Sequence, residues 1–112
     1  MRTFEGEQVL MRIFVRQRDR WGHRPLYLAL IELFRREGVA GATVLQGVAG
    51  FGADSVLHTM RLFRLGELPL IIEVVDSEDH INKVRAQIDS MMSSGLITMQ
   101  NVRVIRYNKT RA

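Results

Sequence analysis

The chain has 112 residues, 46% of them apolar, and a formal charge of +4 from 16 basic and 12 acidic side chains. It contains no cysteine, which excludes disulfides and thiolate metal sites. No apolar run is long enough to cross a bilayer, and the opening Met1-Arg-Thr-Phe-Glu-Gly-Glu7 has no signal-peptide core. A single cytoplasmic domain over 1–112, with a real core but a high surface-to-volume ratio, is the expectation.

Residues 8–16 read as a strand, with Val9, Met11, Ile13 and Val15 alternating onto one face. The loop 17–24 follows, and Arg16, Arg18, Arg20 and Arg24 crowd there with Trp21 and His23. Fourteen of the 16 basic residues are arginine, whose planar fork suits phosphate and carboxylate groups. Two readings of the loop stand: an anion or nucleic-acid contact, or a solvated loop partly neutralised by Asp19. A helix is predicted over 25–37, with Pro25 at its first position and Leu26, Leu30, Ile31, Leu33 and Phe34 as its buried stripe. Arg35 and Arg36 suit the negative end of the helix dipole, and Gly38 supplies a left-handed stop.

A second strand is predicted over 42–49, and a short helix or ordered loop over 53–66. A third strand, 68–75, is rich in branched residues; Pro69 fits only at a strand end or edge. Ser77 is read as the cap of a second helix over 78–93, with Glu78 and Asp79 in its first turn and Ile81, Val84, Ile88 and Met91 on its apolar face. Gly95 ends that helix, and a last strand covers 98–107. The order β-α-β-β-α-β is the split βαβ arrangement, an α+β ferredoxin-like sandwich of an antiparallel four-stranded sheet with two helices on one face.

The helices need only one face of each strand. The other is predicted to carry Leu10, Arg12 and Phe14, then Ile71, Glu73 and Val75, then Arg103, Ile105 and Tyr107. Such a mixed face is read as the contact of a homo-oligomer, with Arg12, Glu73 and Arg103 pairing across it; the alternative is a solvated face with scattered apolar residues.

The segment Gly38 to Gly52 holds five glycines in 15 residues and reads as a strand running into a glycine-rich turn. A flexible connection would look the same. Gly47-Val-Ala-Gly-Phe-Gly52 is neither a P-loop nor a dinucleotide fingerprint, but clustered amides can cradle an anion. The stretch Leu45 to Gly52 also looks like the phosphate-binding loop of acylphosphatases. It departs from that loop in having glycine at 52 where the arginine belongs, and in following the second strand. His23, His58 and His80 share no metal-ligand spacing and read as surface or capping groups. Asp76, Glu78 and Asp79 are explained by a helix N-terminus. No catalytic or metal constellation is evident.

The chain resembles the PII-like family catalogued as domain of unknown function 190. The residues that carry the match are Arg24-Pro-Leu-Tyr27, Gly38-Val-Ala-Gly-Ala-Thr-Val-Leu45, Gly50-Phe-Gly52, His58-Thr59, Leu68-Pro69, Ile72-Glu-Val-Val-Asp76 and Val102-Arg-Val-Ile-Arg-Tyr107. The resemblance implies a ferredoxin-like fold, a homotrimer and a sensing role. Relatives are often encoded beside fluoride-exporter genes, which points to a membrane transporter, a channel or another target protein as partner. The more distant PII nitrogen-regulatory proteins bind ATP or ADP between subunits and touch targets through a loop after strand two. Carried over, that pattern makes Thr43, Gly50 and Gly52 ligand-cleft residues and Arg103 and Arg106 phosphate-reaching arginines from a neighbouring chain; Gly47 and Phe51, in the same glycine-rich turn, are read as ligand-binding with them. It puts 53–66, with His58, Arg61 and Arg64, in place of the partner-contacting loop. This chain departs from the PII pattern in its glycine spacing, in Ser93-Ser-Gly-Leu-Ile-Thr98 before the last strand, and in having no lysine over 53–66.

The leading reading is a non-catalytic regulator that binds a small anion, with an adenine nucleotide as one candidate and no resident cofactor. The alternative is a basic nucleic-acid-binding domain using Phe14 and Tyr107 to stack bases. Nucleic acid ranks below the regulator, since the aromatic-rich motif of sheet-based RNA readers is missing from the third strand.

Overall fold

Strand β1 (Gly6–Arg16) is the spine of an antiparallel sheet, and it pairs along most of its length on both sides. The computed structural model describes residues 4–50 and 68–107. After β1 a two-residue ribbon, β2 (Arg20–Trp21) and β3 (Arg24–Pro25), leads into helix α1 (Leu26–Arg36). Strands β4 (Ala42–Gln46) and β5 (Pro69–Asp76), helix α2 (Glu78–Ile88) and strand β6 (Leu96–Val104) complete the chain. The main sheet runs β4-β5-β1-β6, so the predicted ferredoxin-like α+β topology is the one observed.

One face of the sheet is sealed by the helices. Val9, Met11, Ile13 and Val15 of β1 meet Leu70, Ile72 and Val74 of β5 there, under Leu26, Leu30, Leu33 and Phe34 of α1 and Ile81, Val84 and Ile88 of α2. The strand alternation and the helical spacing predicted from sequence both deliver their apolar side chains to this layer.

The element ends differ from expectation for identifiable reasons. Strand β4 stops at Gln46, not at 49, because the Gly47 N–H makes a last 2.8 Å bond to the Pro69 carbonyl and Pro69 has no N–H to return one. Helix α2 stops at Ile88, not at 93: its end tightens into three-residue bonds from Ser90 to the Gln87 carbonyl and from Met91 to the Ile88 carbonyl. Strand β6 starts earlier, at Leu96 opposite Phe14, and ends at Val104 opposite Gly6, where β1 itself begins. The β2-β3 ribbon was not expected. Ser77 does cap α2, accepting from the His80 N–H at 3.2 Å, and Gly38, after the end of α1, has the left-handed φ of 72°.

Ile72 is fully buried at the centre of the layer. Ile72→Ala should cost about 2–5 kcal/mol of folding free energy through lost transfer energy and a residual cavity. A denaturant titration reads this as a lower midpoint at unchanged slope.

Candidate functional site

Strand register sorts the uncovered face into rows. Leu45, Ile71, Phe14 and Leu96 lie side by side across the four strands in an apolar row. The next row is polar: Thr43, Glu73, Arg12 and Thr98. Beyond it come Val75, Leu10 and Gln100. Arg12 Nε donates to Glu73 Oε2 at 2.8 Å, and Arg12 Nη1 reaches Gln100 Oε1 at 3.4 Å. Leu96 and Leu45 are 58% and 43% exposed, so apolar side chains flank this ion pair in the open.

Register also corrects the predicted makeup of the face. Residues opposite one another point to the same side. Thr98 faces Arg12 and Arg103 faces Glu7, so β6 gives Leu96, Thr98, Gln100, Val102 and Val104 to the open face. Arg103 therefore lies on the helix side, and Ile105 and Tyr107 follow the end of the strand. Arg12 and Glu73 pair within one chain rather than waiting for a neighbour. Phe14, opposite Leu96, and Tyr107, past Val104, lie at opposite ends of β6 and form no stacking platform.

The candidate ligand residues are divided between the two ends of the sheet. Thr43 is exposed on edge strand β4, in the polar row. Gly47 lies at the end where β1 reaches Arg16, and Gly50 follows in the turn. A Cβ built on Gly47 would stand 2.6 Å from Pro69 Cγ, so close packing on Pro69 favours glycine there. Arg103 is opposite Glu7, nine residues back along β1 from Arg16. At about 3.3 Å per residue, that places it about 30 Å from the Gly47 end. Arg106 lines a separate cleft of ≈ 520 Å³ with Phe4, Ala40, Val104, Ile105 and Tyr107. One chain does not bring these groups together. Phe51, Gly52, His58, Arg61 and Arg64 lie outside the described residues.

The arginine loop is largely engaged within its own chain. Arg16 holds Asp19 at 3.1 Å, and Arg20 Nη2 donates to the His23 carbonyl at 2.6 Å. Arg24 pairs with Glu32 of α1 and so ties the ribbon to the helix. Among the described residues no cluster of His, Asp or Glu could hold a metal ion, and no helix is long and apolar enough to cross a membrane.

Sequence reasoning missed a buried polar cluster at the β4-start end. Asp76, 1% exposed, accepts from the Ser77 N–H at 2.7 Å and from the Ala40 N–H at 3.0 Å. His80 Nδ1 lies 3.2 Å from Asp76 Oδ2, while its Nε2 is 2.7 Å from the Glu37 carbonyl at the end of α1. His80 is thus an inter-element bridge rather than a surface group, and Asp76 does more than favour a helix N-terminus. The signal was present in the alternation: Leu70, Ile72, Val74 and Asp76 fall on one face of β5, so an aspartate ends a buried series.

The comparisons agree with this architecture. The DUF190 family model, described as Uncharacterized ACR, COG1993, matches residues 8–104. The chain belongs to this family. It is 34% identical over 97 residues to a UPF0166 protein of Aquifex aeolicus (strain VF5), covering 86% of this chain and 91% of that one. It is 33% identical over 99 residues to a UPF0166 protein of Methanocaldococcus jannaschii, covering 87% and 91%. Among solved structures, a protein of Thermus thermophilus assigned to PII-like signaling aligns with a TM-score of 0.66 at 17% identity, over 92% of this chain and 94% of that one. CPII of Thiomonas intermedia K12, a nitrogen regulatory PII-like protein bound to ADP, AMP and bicarbonate, aligns with a TM-score of 0.62 at 16% identity, over 89% and 90%. At these identities the structural likeness is one of fold.

The hydrogen bond from Arg24, followed by the charges of Arg24 and Arg36, holds the Glu32 carboxyl below the ordinary carboxylate range against some desolvation. A lowered folded-state value stabilises above the unfolded value and is lost as pH falls through the folded one. In an NMR titration, Glu32 should protonate at lower pH than exposed glutamates, and Arg24→Ala should return it to the ordinary range.

Proposed function

We propose that this protein is a non-catalytic PII-like regulator that assembles as a trimer through its open sheet face and binds a small anion at subunit boundaries. The observation that carries this reading is the helix-free sheet face, whose apolar row lies beside the segment Gly47 to Gly50 that follows edge strand β4. An exposed apolar patch of this kind marks a partner surface. A second copy suits it, because its own polar row would face another along a symmetry axis.

In this reading the Thr43 hydroxyl and the backbone amides of the Gly47–Gly52 turn bind the anion. Because Arg103 lies about 30 Å from Gly47 within its own chain, the cationic half comes from a neighbour. Arg103 and Arg106 supply it, as charge-assisted donors to phosphate or carboxylate oxygen. Ligand binding then changes the state of residues 53–66, which a target protein reads; His58, Arg61 and Arg64 are the contacts assigned to that segment. Such a switch requires the ligand to favour one loop state over the other. That a PII-like protein of the same fold is bound to ADP, AMP and bicarbonate supports adenine nucleotides and small oxyanions as the first candidates.

Thermal unfolding against ADP, AMP, ATP, bicarbonate and phosphate, with the mass in solution measured alongside, tests the reading. A ligand confined to the folded state adds about 2.7 kcal/mol at a hundred times its dissociation constant. The expected result is a trimer mass and a concentration-dependent upward shift for at least one compound. Gly50→Val should abolish the shift and leave the mass unchanged. A monomer, or a shift that survives Gly50→Val at full size, counts against the assignment.

A further inference from the structure

The β2-β3 ribbon is firmly fastened, yet it carries the chain's one tryptophan on its surface. Asp19 closes the ribbon's base: its carboxylate accepts from the Arg16 N–H at 2.9 Å and its carbonyl from the Leu26 N–H at 2.8 Å. Gly22, with a left-handed φ of 63°, lies in the turn between Trp21 and its cross-strand partner Arg24. Cross-strand partners point to one side of a ribbon, so Trp21 stands beside Arg24. Arg24 reaches Glu32 of α1, one helical turn from Leu28. Trp21 and Leu28 are 45% and 43% exposed. From Leu28 the exposed residues of α1 continue along one stripe, through Glu32 to Arg35 and Arg36.

We propose that Trp21, Leu28 and this arginine stripe form a docking surface for an acidic segment of a partner protein that carries a large apolar side chain. Charge fixes the sign of the partner. Residues 16–36 hold six arginines against Asp19 and Glu32, an excess of four that equals the formal net charge of the whole chain. Arg20, next to Trp21, donates to a neutral acceptor, the His23 carbonyl, which leaves its charge uncancelled. At about 1.5 Å per residue, Arg35 and Arg36 lie about 10–12 Å along the helix from Leu28. An apolar side chain seated on Trp21 and Leu28 thus has guanidinium forks on both flanks, and these suit carboxylates. Tryptophan and arginine together are frequent anchors of protein interfaces.

The patch suits a protein better than a lipid surface or a nucleic acid. More than half of Trp21 and of Leu28 is covered, so the two form a floor rather than a wedge that enters acyl chains. Glu32 stands within the arginine stripe and Asp19 at the ribbon's base, where a continuous array of phosphates is repelled. A peptide can place its carboxylates elsewhere. Leu28 offers nothing to a phosphate or to the hydrogen-bonding edge of a base. Helix α1 lies on the covered side of the sheet, so this surface is separate from the open face. It depends neither on trimer assembly nor on an anion at the Gly47 turn.

Because Trp21 is the sole tryptophan, its fluorescence reports on this surface directly. The probes are synthetic peptides of about ten residues, long enough to lie along the stripe. They are glutamate-rich, with one leucine or phenylalanine moved through each position, and an all-glutamate peptide is the control. Single-stranded RNA and phosphatidylglycerol vesicles are titrated alongside. At least one apolar-bearing peptide should shift Trp21 emission to shorter wavelength, saturate, and bind about tenfold more tightly than the control. Its affinity should fall as salt rises, and Arg35→Gln with Arg36→Gln should flatten that dependence. Leu28→Ser should weaken the same peptide about tenfold. No response to any peptide at millimolar concentration, equal binding of the all-glutamate control, or unchanged behaviour in both variants overturns the proposal. So does RNA or a vesicle that moves the emission where no peptide does. If a variant does not fold, the wild-type peptide series against its control decides the matter alone.

Discussion

A sheet has two faces, and in the described chain only one of them is covered by helices. Strand β1 makes this constraint visible, because both of its faces carry large apolar side chains. Its odd residues from Val9 to Val15 are sealed under α1 and α2, while Leu10 and Phe14 on the other side are only half-buried. Covering apolar surface is worth about 25 cal/mol per Å², so the favourable fate of the second face is contact with something apolar. The Thr43–Glu73–Arg12–Thr98 row limits what that can be. An ion pair carried into an interface loses hydration, and it is tolerated only where its remaining polar atoms find partners. A surface that repeats the same row meets that condition; a plain apolar surface does not.

The sheet also separates two kinds of chemistry along its length. At one end Pro69 stops the β4 ladder, Gly47 packs against it, and Arg16 and Arg24 are tied to Asp19 and Glu32 respectively. At the other, Asp76, His80 and Glu37 link two helices and a strand. Strand β4 connects the two, five residues long and at the edge of the sheet. Edge strands have a ladder on one side only, so what fixes their ends matters more than it does for β1. Ala40 at the entry and Gly47 at the exit are held by single hydrogen bonds, to Asp76 and to Pro69 respectively.

Periodicity made the fold legible. Alternation on β1, the helical stripe of α1 and the Ser77 cap each have one physical reading, and the β-α-β-β-α-β order followed from them. Element ends were less legible because they depend on partners: β6 ends where β1 starts, and β4 ends because residue 69, distant in sequence, is proline. The open face was only half legible for the same reason. Which β6 residues share the Arg12 side depends on register, and of the expected set Arg103 falls on the other face while Ile105 and Tyr107 follow the end of the strand. The histidine bridge was hidden because its members, Glu37, Asp76 and His80, come from three separate parts of the chain, although an aspartate closing the buried series of β5 marked one end of it. Glycine content alone marked the Gly47 segment; the family resemblance assigned Arg103 and Arg106 to it, and the fold has Arg103 at the far end of the sheet.

That separation bears on how such a site would behave. A ligand held by backbone amides at the Gly47 end of one chain and by Arg103 of another touches both sides of a boundary. Its binding free energy then favours the assembled state over separated chains by mass action. Linkage is reciprocal: whatever tightens the assembly also raises ligand affinity, by the same factor. The open face and the turn are therefore not independent features in this reading. Apolar rows supply non-directional attraction, the Arg12–Glu73 row supplies registration, and only in the right registration do the two halves of the anion site face each other. A surface change remote from the turn, such as loss of the Glu73 carboxylate, would weaken the site by misplacing the neighbour's arginines, although no atom of the ligand touches it.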